Sequence, residues 1–378
     1  MKINNLQIEF RYDILEGTAY EIGKQQADIF AQNPVAVEFF TSPHPQLGPL
    51  SPTQIEAAFQ FFDRYCPGLN DEIQGFADGL NVPLEKIVFY AYTYQQPGSC
   101  SQFVVLPSQT KNGHMLVGRS YEFNHTMCDM RLVKTQVKGK ASHLGFSEVT
   151  FGRDDGINEH GLCVTMSMGA PMAPTEPGGC TYWALLRTIL DRCTCVEDAL
   201  EVAAMTPVSF NLNMIVSDRS GQAALVEMAS SHRAVKRINP DSNEQWLIGT
   251  NHYVLPDMLP YDNRRMWNSV RRYQTIEKGL KDAAEEVTEE TIRNLLNKPI
   301  PDGVCGHYYT EFFGTLWSEV IDVTEGRMEV CFGTPALNPW HSFHLDLPPH
   351  PKTYPVILPD VASDPKLWQI LPPGSWLE

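Results

Sequence analysis

Apolar residues recur at helical spacing early in the chain. Thr18 with Glu21, and Ser51 with Gln54, have the three-residue offset of a capping box, in which each side chain satisfies a backbone N–H of the other residue. Pro52 suits a first helical position, and Ile55, Ala58, Phe59, Phe62 and Tyr65 follow at helical period until Pro67-Gly68 stops the pattern. A third helix is predicted over residues 70–78, and a fourth opens at Pro83 and ends before Pro97-Gly98. The first hundred residues therefore read as helical.

From Cys100 onward the pattern changes. Short β-branched and aromatic runs, separated by Gly, Asn or Asp turns, predict strands over 102–106, 114–119, 131–137, 162–168, 212–217 and 223–228. Two helices are predicted between them, over 182–192 and 196–205, the second opened by Thr194 with Glu197 three residues on. Later segments read as helices over 264–280 and 289–297 and as strands over 315–322, 327–332 and 342–347. Strand blocks flanking helix blocks point to stacked layers rather than βαβ alternation.

The 378 residues suffice for one large domain or two ordinary ones. With 43% apolar and 20% charged residues the chain is neither disordered nor of low complexity. A formal net charge of −16 repels phosphate backbones and anionic lipid, so nucleic acid and membrane are poor partners and a small neutral or cationic molecule fits better. The first residues hold no apolar run of signal-peptide length, from which a cytoplasmic location is expected. Nine scattered cysteines do not form a secreted disulfide framework and read mostly as buried thiols.

The change of pattern at Cys100 is where chemistry concentrates. A helical preface ends in Gln95-Gln96-Pro97-Gly98-Ser99 and a strand begins at Cys100, the layout of a pro-segment ahead of a nucleophile. Were the Ser99–Cys100 bond cut, Cys100 would hold both a thiol and an α-amino group, whose pKa near ~8 suits a general base. A hairpin through Lys111-Asn112-Gly113 would bring Arg119 beside Cys100, where a guanidinium favours thiolate, and Glu122 could accept from the α-ammonium or from a substrate. Taken alone, an Arg and a Glu on a strand are more often a solvated pair.

Cys100, Asn112-Gly113, the run Gly118-Arg119-Ser120-Tyr121-Glu122 and the run 156–162 (Gly-Ile-Asn-Glu-His-Gly-Leu) together resemble the N-terminal-nucleophile hydrolases of the choloylglycine hydrolase and acid ceramidase type. The likeness is closer to the acyl-coenzyme A:6-aminopenicillanate acyltransferase family, which also begins with a helical pro-segment similar to residues 15–26. Residues 211–221, Thr250-Asn251-His252-Tyr253, Asp262-Asn263-Arg264-Arg265 and the stretches 314–322 and 328–335 extend it over nearly the whole chain. The resemblance implies an α+β fold, the four-layer αββα sandwich, with residues 1–99 as a helical pro-segment and 100–378 as the catalytic part. It implies Cys100 as nucleophile, Arg119 and Glu122 beside it, Asn251 as oxyanion donor, and Arg264, ahead of Arg265, as a support or substrate ligand. Three positions depart from the pattern: Ser99 replaces a glycine, Glu122 an aspartate, and Met166-Ser167-Met168 a segment that carries an asparagine in bile-salt hydrolases. A backbone N–H is therefore expected as second oxyanion donor.

No metal or organic cofactor is implied. Cys193-x-Cys195 lacks a second ligand pair, and His341-x-x-His344 lies in a strand-like stretch whose rings would face opposite ways. His125, His160 and His252 each read as satisfied polar residues, His252 being notable as the neighbour of Asn251. The expected activity is autocleavage followed by hydrolysis of a linear amide of a small N-acylated amine or amino acid, with the chain's own pro-segment as a bound subunit. Acyl transfer from acyl-coenzyme A to an amine and an unprocessed binding protein are the alternatives, and homo-oligomerisation stays open.

Overall fold

The computed structural model describes residues 4–42, 48–93, 98–169, 181–230, 232–346 and 351–377. Gln95, Gln96 and Pro97 of the expected preface end, Cys180 and Leu347 lie outside them. Among the described residues nineteen strands run in chain order. They are β1 (Asn4–Gly17), β2 (Ser99–Val105), β3 (Leu116–Phe123), β4 (Arg131–Val137), β5 (His143–Glu148), β6 (Gly152–Arg153), β7 (Asp155–Asn158), β8 (Leu162–Met168), β9 (Leu212–Asp218) and β10 (Ala223–Ala229). After them come β11 (His232–Ile238), β12 (Trp246–Gly249), β13 (Arg265–Met266), β14 (His307–Tyr308), β15 (Phe313–Asp322), β16 (Arg327–Phe332), β17 (Trp340–His344), β18 (Thr353–Asp360) and β19 (Ile370–Leu371). The helices are α1 (Ala19–Phe30), α2 (Pro34–Thr41), α3 (Pro52–Tyr65), α4 (Leu69–Leu80), α5 (Leu84–Thr93), α6 (Tyr182–Arg192), α7 (Val196–Met205), α8 (Trp267–Ala283) and α9 (Glu289–Asn297).

Two large sheets pack face to face. One has the order β11-β10-β9-β8-β7-β5-β4-β1-β18, with β6 on β5, and the other the order β12-β2-β3-β15-β16-β17, with β14 on β15. Three large cores separate four layers. The inner one, including Phe10, Val104, Tyr121, Phe146, Trp317 and Phe332, joins the two sheets. A second lies between the outer face of the ten-stranded sheet and helices α1 to α7, and a third between the other sheet's outer face and helices α8 and α9. This is the αββα sandwich expected from the resemblance.

The capping boxes at Thr18/Glu21 and Ser51/Gln54 form as the spacing requires. The one expected at Thr194/Glu197 does not. Helix α7 begins one residue later than such a box needs, so Thr194 bonds to Asp198 and Glu197 pairs with Arg237. The N-terminal stretch is also not helical from its start. Leu6, Ile8, Phe10 and Tyr12 alternate inward with outward Gln7 and Glu9, and β1 enters the sheet parallel to β4 and antiparallel to β18. Helix α8 starts at Trp267 rather than Arg264, because Arg265-Met266 pairs with Ile370-Leu371. Among the described residues no helix is long and apolar enough to cross a membrane.

Candidate active site

The hairpin through Gly113, whose φ of +72° suits glycine, pairs β2 with β3 so that Cys100 faces Tyr121 and Gln102 faces Arg119. Directly opposed residues share a sheet face, and side chains alternate along each strand. Cys100, Gln102, Arg119 and Tyr121 therefore point between the sheets, while Ser101, Ser120 and Glu122 point toward helices α8 and α9. The expected pair Arg119 and Glu122, three residues apart, is thus split across the strand.

Cys100 is fully buried, and Arg119 is the cation that acts most strongly on its thiol. Burial pushes the thiol above its ordinary value. Arg119 pulls it back without prevailing, so the buried sulfur is a neutral thiol. Arg119 donates from Nε to Asp155 Oδ2 at 3.3 Å, and Trp317 Nε1 donates to the same oxygen at 3.1 Å. Tyr121 stacks on Trp317 with centroids 3.9 Å apart, and Trp317 on Phe146 at 4.1 Å, a flat aromatic wall beside the thiol. A bulge in β15 between Thr315 and Trp317 sets this register.

Asn251, for which the resemblance implied the role of oxyanion donor, stands against the Cys100 backbone. With the chain continuous through Ser99, the Cys100 N–H donates to Asn251 Oδ1 at 3.0 Å. Asn251 Nδ2 donates to Met168 O at 3.0 Å and to Gly98 O at 3.4 Å. Its own N–H donates to Ser269 Oγ at 2.8 Å, and the buried His252 bonds the same hydroxyl through Nδ1 at 2.7 Å. Burial and the nearby Arg265 and Arg272 hold His252 well below the ordinary imidazole value, so it is a neutral brace for Asn251. Gln102 ties the sheets together below, donating to Ser167 Oγ and Asn213 O, while Asn213 and Ser167 both donate to Thr250 O.

The arginine that closes this arrangement is Arg272, which sequence reasoning missed. It donates from Nη1 to Cys100 O and Ser101 Oγ, and from Nη2 to Asn251 Oδ1 at 2.7 Å and Asn268 Oδ1 at 2.8 Å. Arg264, the expected residue, precedes the helix, is half-buried, and has no hydrogen-bond partner at Nε among the described residues. Arg265 is buried but braces Asp262, Tyr253 O and Ser375 O. The row Arg272, Ile276, Leu280 at four-residue spacing, all buried, was the legible sign that Arg272 faces inward. Glu122 lies on the helix side of the strand, accepting from Ser120 and, at 3.1 Å, from Thr315 Oγ1. Burial raises it to about 7 against the opposing pull of Arg272. Of the remaining histidines, His160 is exposed and His125 half-buried. Among the described residues no group of three or more His, Cys, Asp or Glu is placed to hold a metal ion.

Residues 108–337 match the acyl-coenzyme A:6-aminopenicillanic acid acyl-transferase family, a stretch that contains Arg119, Glu122, Asn251 and Arg272 and begins after Cys100. An uncharacterised protein of Archaeoglobus fulgidus is 22% identical over 289 residues, 62% of this chain and 47% of the relative. The chain thus spans about half the length of the curated relative it matches. Among solved structures, penicillin V acylase from Agrobacterium tumefaciens is similar at 19% identity and TM-score 0.44, over 64% of this chain and 85% of that one. The Caenorhabditis elegans orthologue of N-acylethanolamine-hydrolyzing acid amidase is similar at 16% and 0.44, over 60% and 93%. A mutant form of the conjugated bile acid hydrolase from Clostridium perfringens is similar at 14% and 0.44, over 70% and 97%. Because the family match covers well over half of its length, this chain belongs to the acyl-coenzyme A:6-aminopenicillanic acid acyl-transferase family.

Proposed function

We propose that this chain is the precursor of a cysteine amidohydrolase that cuts its own Ser99–Cys100 bond and then hydrolyses linear amides of small N-acylated amines or amino acids. One observation carries the reading. The nitrogen, carbonyl and sulfur of Cys100 are each met by a different group: the N–H by Asn251, the carbonyl by Arg272 and the thiol by Arg119. A merely structural buried cysteine needs none of these.

In autocleavage, Cys100 Sγ attacks the Ser99 carbonyl carbon, the C–N bond breaks as the nitrogen takes up a proton, and Ser99 is carried as a thioester. Water releases the Ser99 carboxylate and restores the thiol. Residues 1–99 stay as one subunit and 100–378 form the other. The freed α-amino group remains within reach of Asn251 Oδ1 and takes the thiol proton. The thiolate attacks the substrate carbonyl, the amine leaves with that proton, and water resolves the acyl-enzyme. Asn251 Nδ2, relieved of Gly98, donates to the oxyanion together with a backbone N–H, an effect of ~3 kcal/mol per well-placed donor. Acyl transfer from a coenzyme A thioester to an amine is a second reading, supported by the name of the family, and uses the same residues.

Intact mass tests the first stage. The purified chain should give two fragments that part at Ser99–Cys100, and Cys100→Ala should stay whole and inactive. Full turnover by an uncut chain would overturn the proposal and favour a different nucleophile. Amine release from a panel of N-acyl amines, with and without acyl-coenzyme A, separates hydrolysis from transfer.

A further inference from the structure

Asn251 stands on backbone that belongs to no helix or strand, in a turn that leads from the end of β12 at Gly249 to a short 3₁₀ segment at Pro256–Tyr261. Buried backbone groups in such a turn need partners from elsewhere. Side chains of the ten-stranded sheet supply them. Ser167 on β8, Asn213 on β9 and Glu227 on β10 are directly opposed residues of three neighbouring strands, so they form one row on one sheet face. Ser167 Oγ donates to Thr250 O at 2.6 Å, and Asn213 Nδ2 donates to Thr250 O at 2.7 Å and to His252 O at 3.0 Å. Glu227 takes the far end of the turn, accepting from the Val254 N–H at Oε1, 2.7 Å away, and from the Leu255 N–H at Oε2, 3.0 Å away. The backbone on both sides of Asn251 is thus tied to the row.

Glu227 is the one titratable member of the row, and it is buried. The charged groups that act on it are Asp262 and Arg265, which pair with each other. On β11, Ala234 lies opposite, Lys236 pairs with Glu244 and His232 packs on Tyr261. On α8 the Tyr273 hydroxyl stays neutral, and Asp257 in the 3₁₀ segment is exposed. The two N–H groups favour the ionised form of Glu227 and burial the protonated one; burial prevails and raises it to about 8. A carboxylate accepts at both oxygens, whereas a proton turns one of them into a donor and sets it against an N–H.

We propose that Glu227 is a positioning residue: as the carboxylate it holds the Val254 and Leu255 N–H groups together and so fixes the turn that aims Asn251 at Cys100, and on gaining a proton it releases one of them. This rests on the role given to Asn251 above. It adds a control of the site by pH through a group that bonds the turn rather than Cys100.

Glu227→Gln tests it, because a glutamine keeps the size of the side chain and fixes the neutral pattern of one acceptor and one donor. Dividing the unmutated rate of amide turnover by that of the variant cancels the titration of the Cys100 thiol and amine, which both proteins share. The ratio should stay within about twofold at about pH 6.5 and climb to about tenfold by about pH 9, in kcat rather than KM. A ratio that does not change over this range, at one or at any other value, overturns the proposal, since a merely structural loss does not titrate. Amide NMR of Cys100→Ala, labelled at valine and leucine, reads the turn without turnover and without thiol or new amine. The Val254 and Leu255 N–H signals should move downfield together as pH rises through about 8. Their failure to titrate overturns the proposal even if Glu227→Gln does not fold. A chain that neither processes itself nor cleaves any amide overturns the reading of Cys100, and the two N–H signals then still decide whether Glu227 holds the turn.

Discussion

Arg272 makes four hydrogen bonds in four directions, to Cys100 O, Ser101 Oγ, Asn251 Oδ1 and Asn268 Oδ1, from a fully buried position on α8. A lysine ammonium has the charge but not the planar fork, so Arg272→Lys should reduce processing and amide turnover by about a hundredfold while the protein still folds. Activity within about threefold of the parent would remove Arg272 from the site. Arg264→Ala should process normally, since Arg264 lies outside the cluster; a block in processing would restore the role first expected of it. The sequence carried Asn251 and Arg119 to the right neighbourhood through motif order. It misplaced the second arginine because four arginines, 264, 265, 271 and 272, lie within nine residues, and only the start of α8 decides which one faces inward.

Helices α1 and α4 approach each other through glycines. A Cβ on Gly75 would lie 2.1 Å from Tyr20 O, and one on Gly23 would lie 2.0 Å from Glu72 O. Gly75→Ala should force the helices apart and cost about 1–3 kcal/mol in urea unfolding, and an unchanged midpoint would show that the contact yields freely. The same helix pair anchors the N-terminal part through charge. Glu72, fully buried, accepts from Arg187 at 3.1 Å and from Gln26 at 2.7 Å, and Arg131 donates to Gln26. Glu72→Ala leaves Arg187 short of a partner and should cost about 3–5 kcal/mol by the same measurement. Helices were the most legible elements: the boundaries of 182–192, 196–205 and 289–297 agree with the structure because periodicity is local, although the cap read for the second does not form. Strand β1 carries an equally local alternation, immediately before the capping box at Thr18.

The whole molecule carries several buried carboxyls raised by desolvation, Glu122 and Glu148 to about 7 and Glu227 to about 8. Such groups bind their proton more tightly folded than unfolded, so stability falls as pH climbs from the ordinary carboxylate value through the folded one. His143, held down to about 3 by burial, works the other way, but only up to its ordinary value of 6.5. From pH 6.5 to about 8 the carboxyls act without that opposition, and Tm should decline. Glu227→Gln should flatten the upper part of that decline, and a Tm that rises over this window would contradict the burial assigned to these groups. If the chain cuts itself as proposed, the N-terminal part should co-elute with the rest under native conditions, since β1 lies between β4 and β18. Dissociation without denaturant would mean that β1 is not integral to the sheet.

The sequence by itself determined the local things: where helices cap, where the period changes to that of strands, and which short motifs stand in family order around Cys100. These depend on neighbours a few residues away, which one chain displays directly. Tertiary structure alone decided that Glu122 turns from Cys100 toward the helices, and that Arg272 reaches across 172 residues to the Cys100 carbonyl. Those facts follow from strand register and helix start, neither of which is a property of any segment taken alone.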